Sequence, residues 1–177
     1  MKLIQLLKEN NLSVTVGYSS TDFLLWKFAG ADHCCTGKFF NLRRFEPYRY
    51  QIPEENGGGI VPYIFVRSLL GYFREADLVR IQEKGLISQK TIENPFYSEI
   101  SEKLFTPDPW LGLSWRHYLY EFQELEAETN TYHEIVKDLL READNNWGVV
   151  ESQSIILDER LNNGSWIRPW LRSILSL

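Results

Sequence analysis

The longest regular pattern in the chain is helical and runs over residues 115–143. Apolar residues recur there every three or four positions, as they do along the buried side of an amphipathic helix. The pattern lapses at 126–131, where a Thr-Asn-Thr sequence of weak helix formers occurs. We therefore predict one long or kinked helix near 115–143, with Ser114 as its N-cap.

Shorter patterns along the rest of the chain predict an α+β fold. Alternating or continuous apolar runs in the N-terminal third are typical of short strands. Because the connections between them are too short for crossover helices, we expect antiparallel pairing. The prediction is a short antiparallel sheet from the N-terminal third packed against several helices. Strands are predicted at 12–18, 23–28, 38–42, 48–52 and 147–157, a strand or helix entry at 60–66, and further helices at the N-terminus, at 68–84, within 91–105 and after Ser165.

Length and composition indicate one domain with a real core. The chain has 177 residues, of which 44% are hydrophobic, so we predict a single domain over 1–177. The Gly-rich sequence PEENGGG at 53–59 is the one candidate sub-boundary. The N-terminal apolar stretch is too short and too polar for a signal peptide or a membrane span. Adjacent cysteines such as Cys34 and Cys35 rarely close a disulfide, which suits a reducing compartment. Together with the N-terminal sequence, this predicts a soluble cytoplasmic protein.

Negative charge is concentrated in one part of the chain. Residues 116–159 hold eleven acidic and three basic residues, whereas the whole chain carries a net charge of −5. Glu121, Glu124 and Glu128 share one helix face, and Arg116 is the one basic residue near it in sequence. Like charges at this spacing weaken a helix, so we interpret the cluster as a charged surface that serves binding. The later acids at 134–144 are partly balanced by basic neighbours and are interpreted as ordinary surface.

These features predict a small soluble binding protein that occludes a basic partner. An immunity or inhibitor protein for a toxin or a nucleic-acid-handling enzyme fits the description. Charge would speed association, and buried aromatic residues would set the lifetime of the complex. The predicted partner-binding residues are Glu121, Glu124, Glu126 and Glu128, with Trp115, Tyr118 and Tyr132 as aromatic anchors.

Two alternatives belong to other functional classes. The first is a regulatory or scaffolding module that docks through its aromatic C-terminal helix, with Trp166, Trp170, Leu171 and Ile174. The second is an enzyme that uses Asp32, His33 and Cys34. Because adjacent residues in extended structure point to opposite sides, these residues are poorly placed to activate one another, and we favour two structural thiols.

The sequence contains no complete metal or cofactor motif, and we predict neither. Residues 32–35 lack the two-residue gap that lets a loop wrap zinc. His117 and Glu121 lie four residues apart on one helix face, which we interpret as solvated, as we do the His133 and Lys137 pair. The glycine-rich sequence at 56–59 is not followed by the lysine that a phosphate-binding loop requires.

Nucleic acid is an improbable partner. Arg43, Arg44 and Arg49 alternate with aromatic residues, as they do in some single-strand binders. The pI near 5.3 argues against a basic footprint. We favour internal pairing of Arg43 and Arg44 with the acidic helix.

Overall fold

Helices form most of the regular structure in the computed structural model, which describes residues 1–38, 47, 61–158 and 163–176. None of the helices in these ranges is long and apolar enough to cross a membrane. The helices are α1 Lys2–Glu9, α2 Phe23–Phe28, α3 Glu75–Glu83, α4 Gln89–Ile92, α5 Tyr97–Lys103, α6 Leu111–Thr131, α7 Ile135–Ser152 and α8 Ile167–Leu175. The strands are β1 Thr15–Val16, β2 His33–Cys34, β3 Ile64–Val66 and β4 Gly71–Phe73.

Two short strand pairs accompany the helices, and the predicted α+β class is confirmed. β3 and β4 pair antiparallel, with Ile64 opposite Phe73, across a 3-10 turn at Arg67–Leu69. β1 and β2 pair in parallel, with Thr15 opposite His33. Parallel pairing is feasible because the intervening segment contains α2, which the sequence pattern did not predict as a helix.

Three predicted elements differ from the structure. Residues 23–28 form a helix, because a short continuous apolar run is compatible with either structure when all sides are buried. The predicted helix at 68–84 begins only at Glu75, since Gly71–Phe73 pairs with β3. The predicted strand at 147–157 is largely the end of α7. The strand predicted at 38–42 lies mostly outside the described residues, and the strand at 48–52 and the loop at 53–59 lie wholly outside them.

The predicted long helix is split into α6 and α7. The backbone is extended at Tyr132, which ends α6 directly after the Thr-Asn-Thr sequence and confirms the predicted break. The predicted N-cap is wrong: α6 begins at Leu111, and Ser114 is buried in its first turn. The Ser114 hydroxyl donates to the Tyr63 carbonyl and accepts from the Tyr63 amide, so it fastens α6 to the chain before β3.

The main core lies where α6 and α7 pack against the β3–β4 hairpin. Phe65 packs edge-on against Phe122 of α6, with ring centroids 5.3 Å apart. Trp147 of α7 lies near Phe73, and its indole nitrogen donates to the Leu69 carbonyl at 2.9 Å. Fully buried aromatic and aliphatic side chains of this kind supply most of the folding free energy.

Candidate functional site

The four glutamates predicted to meet a partner do not form one exposed surface. Glu121 is only 2% exposed. Glu126 and Glu128 are half-buried and form ion pairs within the fold. Glu124 alone is exposed and without an ion pair among the described residues. The prediction of an uncompensated, exposed cluster is therefore wrong.

The counterions come from distant parts of the chain. Lys27 of α2 is buried, and its Nζ lies 3.0 Å from Oε1 of Glu126. Glu128 receives the Arg67 guanidinium from the 3-10 turn and the Lys90 ammonium from α4, the latter at 2.6 Å. Much of the acidic excess of α6 is thus used to hold α2, α4 and the hairpin. Arg43 and Arg44, the predicted internal counterions, lie outside the described residues.

Glu121 is part of a buried polar cluster rather than a partner surface. Asn94, between α4 and α5, donates from Nδ2 to Glu121 Oε1 at 3.0 Å and to the His117 carbonyl at 3.1 Å. Burial raises the pKa of Glu121 to about 7, although the Asn94 hydrogen bond and the charge of Arg67 oppose the shift. This carboxyl therefore changes from protonated to ionised near neutral pH.

His117 lies one turn before Glu121 and is completely buried, so the predicted solvated face is wrong. Neither ring nitrogen has a hydrogen-bond partner among the residues that the structure describes, and burial lowers the pKa of His117 to about 3. The imidazole is therefore neutral and packs near the Tyr97 ring, with centroids 6.3 Å apart. Among the described residues, no group of three or more His, Cys, Asp or Glu side chains is arranged to hold a metal ion.

The three predicted aromatic anchors have different environments. Tyr118 is fully buried and its hydroxyl donates to the Gly37 carbonyl, so it cannot contact a partner. Trp115 is half-buried and packs against the core. Tyr132 is 57% exposed at the α6–α7 junction and stays available to a partner.

The catalytic alternative at Asp32, His33 and Cys34 lacks the required geometry. Asp32 Oδ1 accepts from Lys8 Nζ at 2.7 Å, and Oδ2 accepts from the Val14 amide, which lowers the pKa of Asp32 to about 2. His33 is exposed, whereas Cys34 points inward from β2. Burial raises the pKa of the Cys34 thiol to about 11, so no reactive thiolate forms near neutral pH.

We expect Cys34 to be alkylated slowly. In a Cys35→Ser variant, the rate with iodoacetamide at neutral pH should be about a hundredfold below that of a solvated thiol, because the pKa is raised from 9.0 to about 11. The rate should still be rising at pH 10. A rate that levels off near pH 8.5 would contradict the buried environment, and the Cys34→Ser variant gives the reference rate for exposed Cys35.

The aromatic C-terminal helix is integrated in the fold. Ile167 and Ile174 are buried, with α8 against α7 and α2. The rings of Trp166 and Trp170 contact each other at a tilt of 59°, with centroids 4.4 Å apart. Ile174 is therefore unavailable as a docking residue, whereas Trp170 and Leu171 are half-exposed.

An open cleft of about 310 Å³ lies between α4, α6 and α7. Glu128 forms part of its wall together with Asp138 and Glu142 of α7, and Ile135 and Leu139 form an apolar base. Ser88, Gln89 and Lys90 at the start of α4 also line the cleft, as does Arg67 of the 3-10 turn. Three carboxylates from two helices, together with the Arg67 and Lys90 cations, thus line one opening.

The charges of the cleft are unevenly compensated. Arg67 and Lys90 both bind Glu128, whereas Asp138 has only an exposed contact with Arg141 at 3.1 Å. Glu142 is exposed and has no ion pair within the described residues. Asp138 and Glu142 lie four residues apart on one helix face, within the stretch 134–144 that is predicted to be ordinary surface.

Comparisons with protein-family models, with curated proteins and with solved structures find no match to this chain.

Proposed function

We propose that this protein is a small binding protein that occludes a basic protein partner, as an inhibitor or immunity protein does. The observation that supports the proposal is the convergence of Glu128, Asp138 and Glu142 on one open cleft. The proposed binding surface is therefore the cleft, with Tyr132 at the α6–α7 junction, rather than buried Glu121 and ion-paired Glu126 of α6.

The cleft suits a lysine or arginine side chain. A long basic side chain has an aliphatic stem and a charged end, and it binds best where an apolar base adjoins a carboxylate. Ile135 and Leu139 supply the apolar base, and Glu142 supplies a carboxylate that no described cation neutralises. The Gln89 amide oxygen adds a hydrogen-bond acceptor for an ammonium or guanidinium group.

Electrostatic steering supports the same kind of partner. Exposed Glu124 adds charge on α6 to that of the two α7 carboxylates. A local excess of negative charge raises the association rate of a positively charged protein and does so less as salt increases. The two free thiols suit a reducing compartment, and we place the proposed interaction in the cytoplasm.

Charge reversal in the cleft should abolish capture of the partner. We expect the immobilised protein to recover a basic protein from its source cell, and the Asp138→Lys/Glu142→Lys variant to recover at least about tenfold less, because the substitutions reverse the charge of Glu142 and of Asp138, whose ion-pair partner is the exposed Arg141. Recovery by the unaltered protein should also fall sharply in about 0.5 M salt, where exposed charges are screened. Quantitative mass spectrometry of the eluate measures both effects.

A matched control separates the cleft from overall charge. The Glu83→Lys/Glu102→Lys variant changes net charge equally, at exposed residues on α3 and α5 that do not line the cleft. This control variant should still capture the basic partner. Equal recovery by both double variants, or recovery that is unaffected by salt, would contradict the proposal.

A further inference from the structure

Phe105 is the most exposed aromatic side chain among the residues that the structure describes, at 69%. It lies in the connector between α5 and α6, where its backbone is left-handed, with φ at 61°. A bulky residue rarely adopts this conformation, and such strain persists only where the surrounding structure enforces it. Strained positions of this kind cluster at binding sites.

The connector holds Phe105 in a fixed position. The Phe105 amide donates to Oε1 of Glu75, at the start of α3. The Thr106 hydroxyl donates to the Lys103 carbonyl and accepts from the Asp108 amide, and prolines at 107 and 109 restrict the backbone on both sides of Asp108. A ring held in this way loses little conformational freedom when a partner covers it, which favours binding.

The chain around Phe105 is acidic. Glu102 and Asp108, three residues to either side of it, are exposed and have no ion pair within the described residues. The nearby Lys103 ammonium lies 4.0 Å from the Glu99 carboxylate. A surface that covers Phe105 therefore needs an apolar site bordered by cations.

A site of that kind lies on the outer face of α8. Arg168, Leu171 and Arg172 line an open depression of about 430 Å³ there. Both arginines are exposed, and α8 contains no acidic residue. Arg168 binds Asp144 of α7 at 2.9 Å, whereas Arg172 has no ion pair in the part of the chain that the structure describes. The depression is thus apolar at Leu171 and basic at its border.

We propose that the protein binds a second copy of itself, with Phe105 of one copy seated against Leu171 of the other. In this contact the acidic border formed by Glu102 and Asp108 faces the two arginines, so the charges of the two surfaces are complementary. The contact is separate from the cleft proposed for the basic partner, since the depression on α8 shares no lining residue with it.

Sedimentation equilibrium measures this self-association. The average mass of the wild-type protein should rise above that of the monomer as the concentration increases to about 1 mM, since a contact of this small size is weak. Phe105→Asn, which removes the ring and tolerates a left-handed backbone, and Arg172→Glu should each lower the association constant at least about tenfold. The matched controls Tyr18→Asn, an exposed aromatic residue with φ at 56°, and Lys84→Glu, an exposed cation on another face, should leave it unchanged.

A mixture of two defective variants tests the two halves of the contact. Phe105→Asn keeps the depression on α8 and Arg172→Glu keeps the Phe105 ring, so the mixture should associate at a concentration where neither variant does so alone. If Phe105→Asn fails to fold, Asp108→Lys takes its place. The Asp138→Lys/Glu142→Lys variant should still self-associate, which distinguishes this contact from binding of Arg172 in the cleft.

Four results would overturn the inference. They are a wild-type protein that stays monomeric at about 1 mM, self-association that survives either substitution, a mixture that stays monomeric, and self-association that requires the cleft carboxylates.

Discussion

Replacing Glu121 with glutamine should make the protein more stable above neutral pH, by about 3 kcal/mol at about pH 8. Burial raises the pKa of this carboxyl in the folded state from 4.5 to about 7. The folded protein therefore binds the proton more tightly than the unfolded chain does, and it loses stability as pH rises from about 4.5 through about 7. Glutamine stays neutral and can still accept the hydrogen bond from Asn94.

Urea unfolding of the two proteins between about pH 4.5 and about pH 8 measures this effect. The difference in unfolding free energy should be small near pH 4.5 and reach its full value above pH 7. The buried His117, which destabilises the fold as pH falls below its unfolded pKa, is present in both proteins and cancels in the difference.

The control for this experiment is Glu124→Gln, one turn away and exposed. Substitutions at exposed sites without special contacts change stability by at most about 0.5 kcal/mol. A pH-independent difference between the wild-type protein and Glu121→Gln would contradict the raised pKa of Glu121.

Gly164→Ala should destabilise the protein by about 2–3 kcal/mol, the usual cost of overpacking a well-filled core. A Cβ atom at this position would lie 2.4 Å from Cγ of Trp147 and 2.7 Å from its Cβ. The indole cannot move away freely, because it is buried and its nitrogen donates to the Leu69 carbonyl. Thermal or urea unfolding measures the loss.

Gly148→Ala is the matched control, since it lies on α7 directly after Trp147 and an added Cβ meets no atom within 4 Å. Alanine is a better helix former than glycine, so this variant should be stabilised by about 0.5–1 kcal/mol. If Gly164→Ala were as stable as the wild-type protein, the chain before α8 could not approach Trp147 as closely as the structure shows.

Parts of the fold with long, strong periodicity could be predicted from the sequence. The helical pattern over 115–143 and its lapse at 126–131 correspond to α6, α7 and the break at Tyr132. The terminal helix after Ser165 is equally clear. Short apolar runs are ambiguous, because a six-residue segment that is buried on several sides, such as 23–28, shows no period. Gly71–Phe73 forms a strand only because β3 pairs with it.

The charge pattern of the site could not be interpreted from local sequence. Arg67 and Lys90 are 61 and 38 residues from Glu128, so no rule based on helical neighbours relates them. Lys27 reaches Glu126 in the same non-local way. The sequence predicts an ordinary surface at Asp138 and Glu142, because Lys137 and Arg141 partly balance the acidic residues of 134–144. The cleft exists only because α4 and α6 face α7 at that point.

The central claim is that the cleft between α4, α6 and α7 receives basic side chains. A titration of the ¹⁵N-labelled protein with an arginine-rich peptide, followed by NMR, tests it most directly. The account predicts chemical-shift changes concentrated at 88–90, 128 and 135–142, reduced in about 0.5 M salt and absent in Asp138→Lys/Glu142→Lys. Changes that are spread over other acidic surfaces, or that persist in this double variant, would contradict the claim.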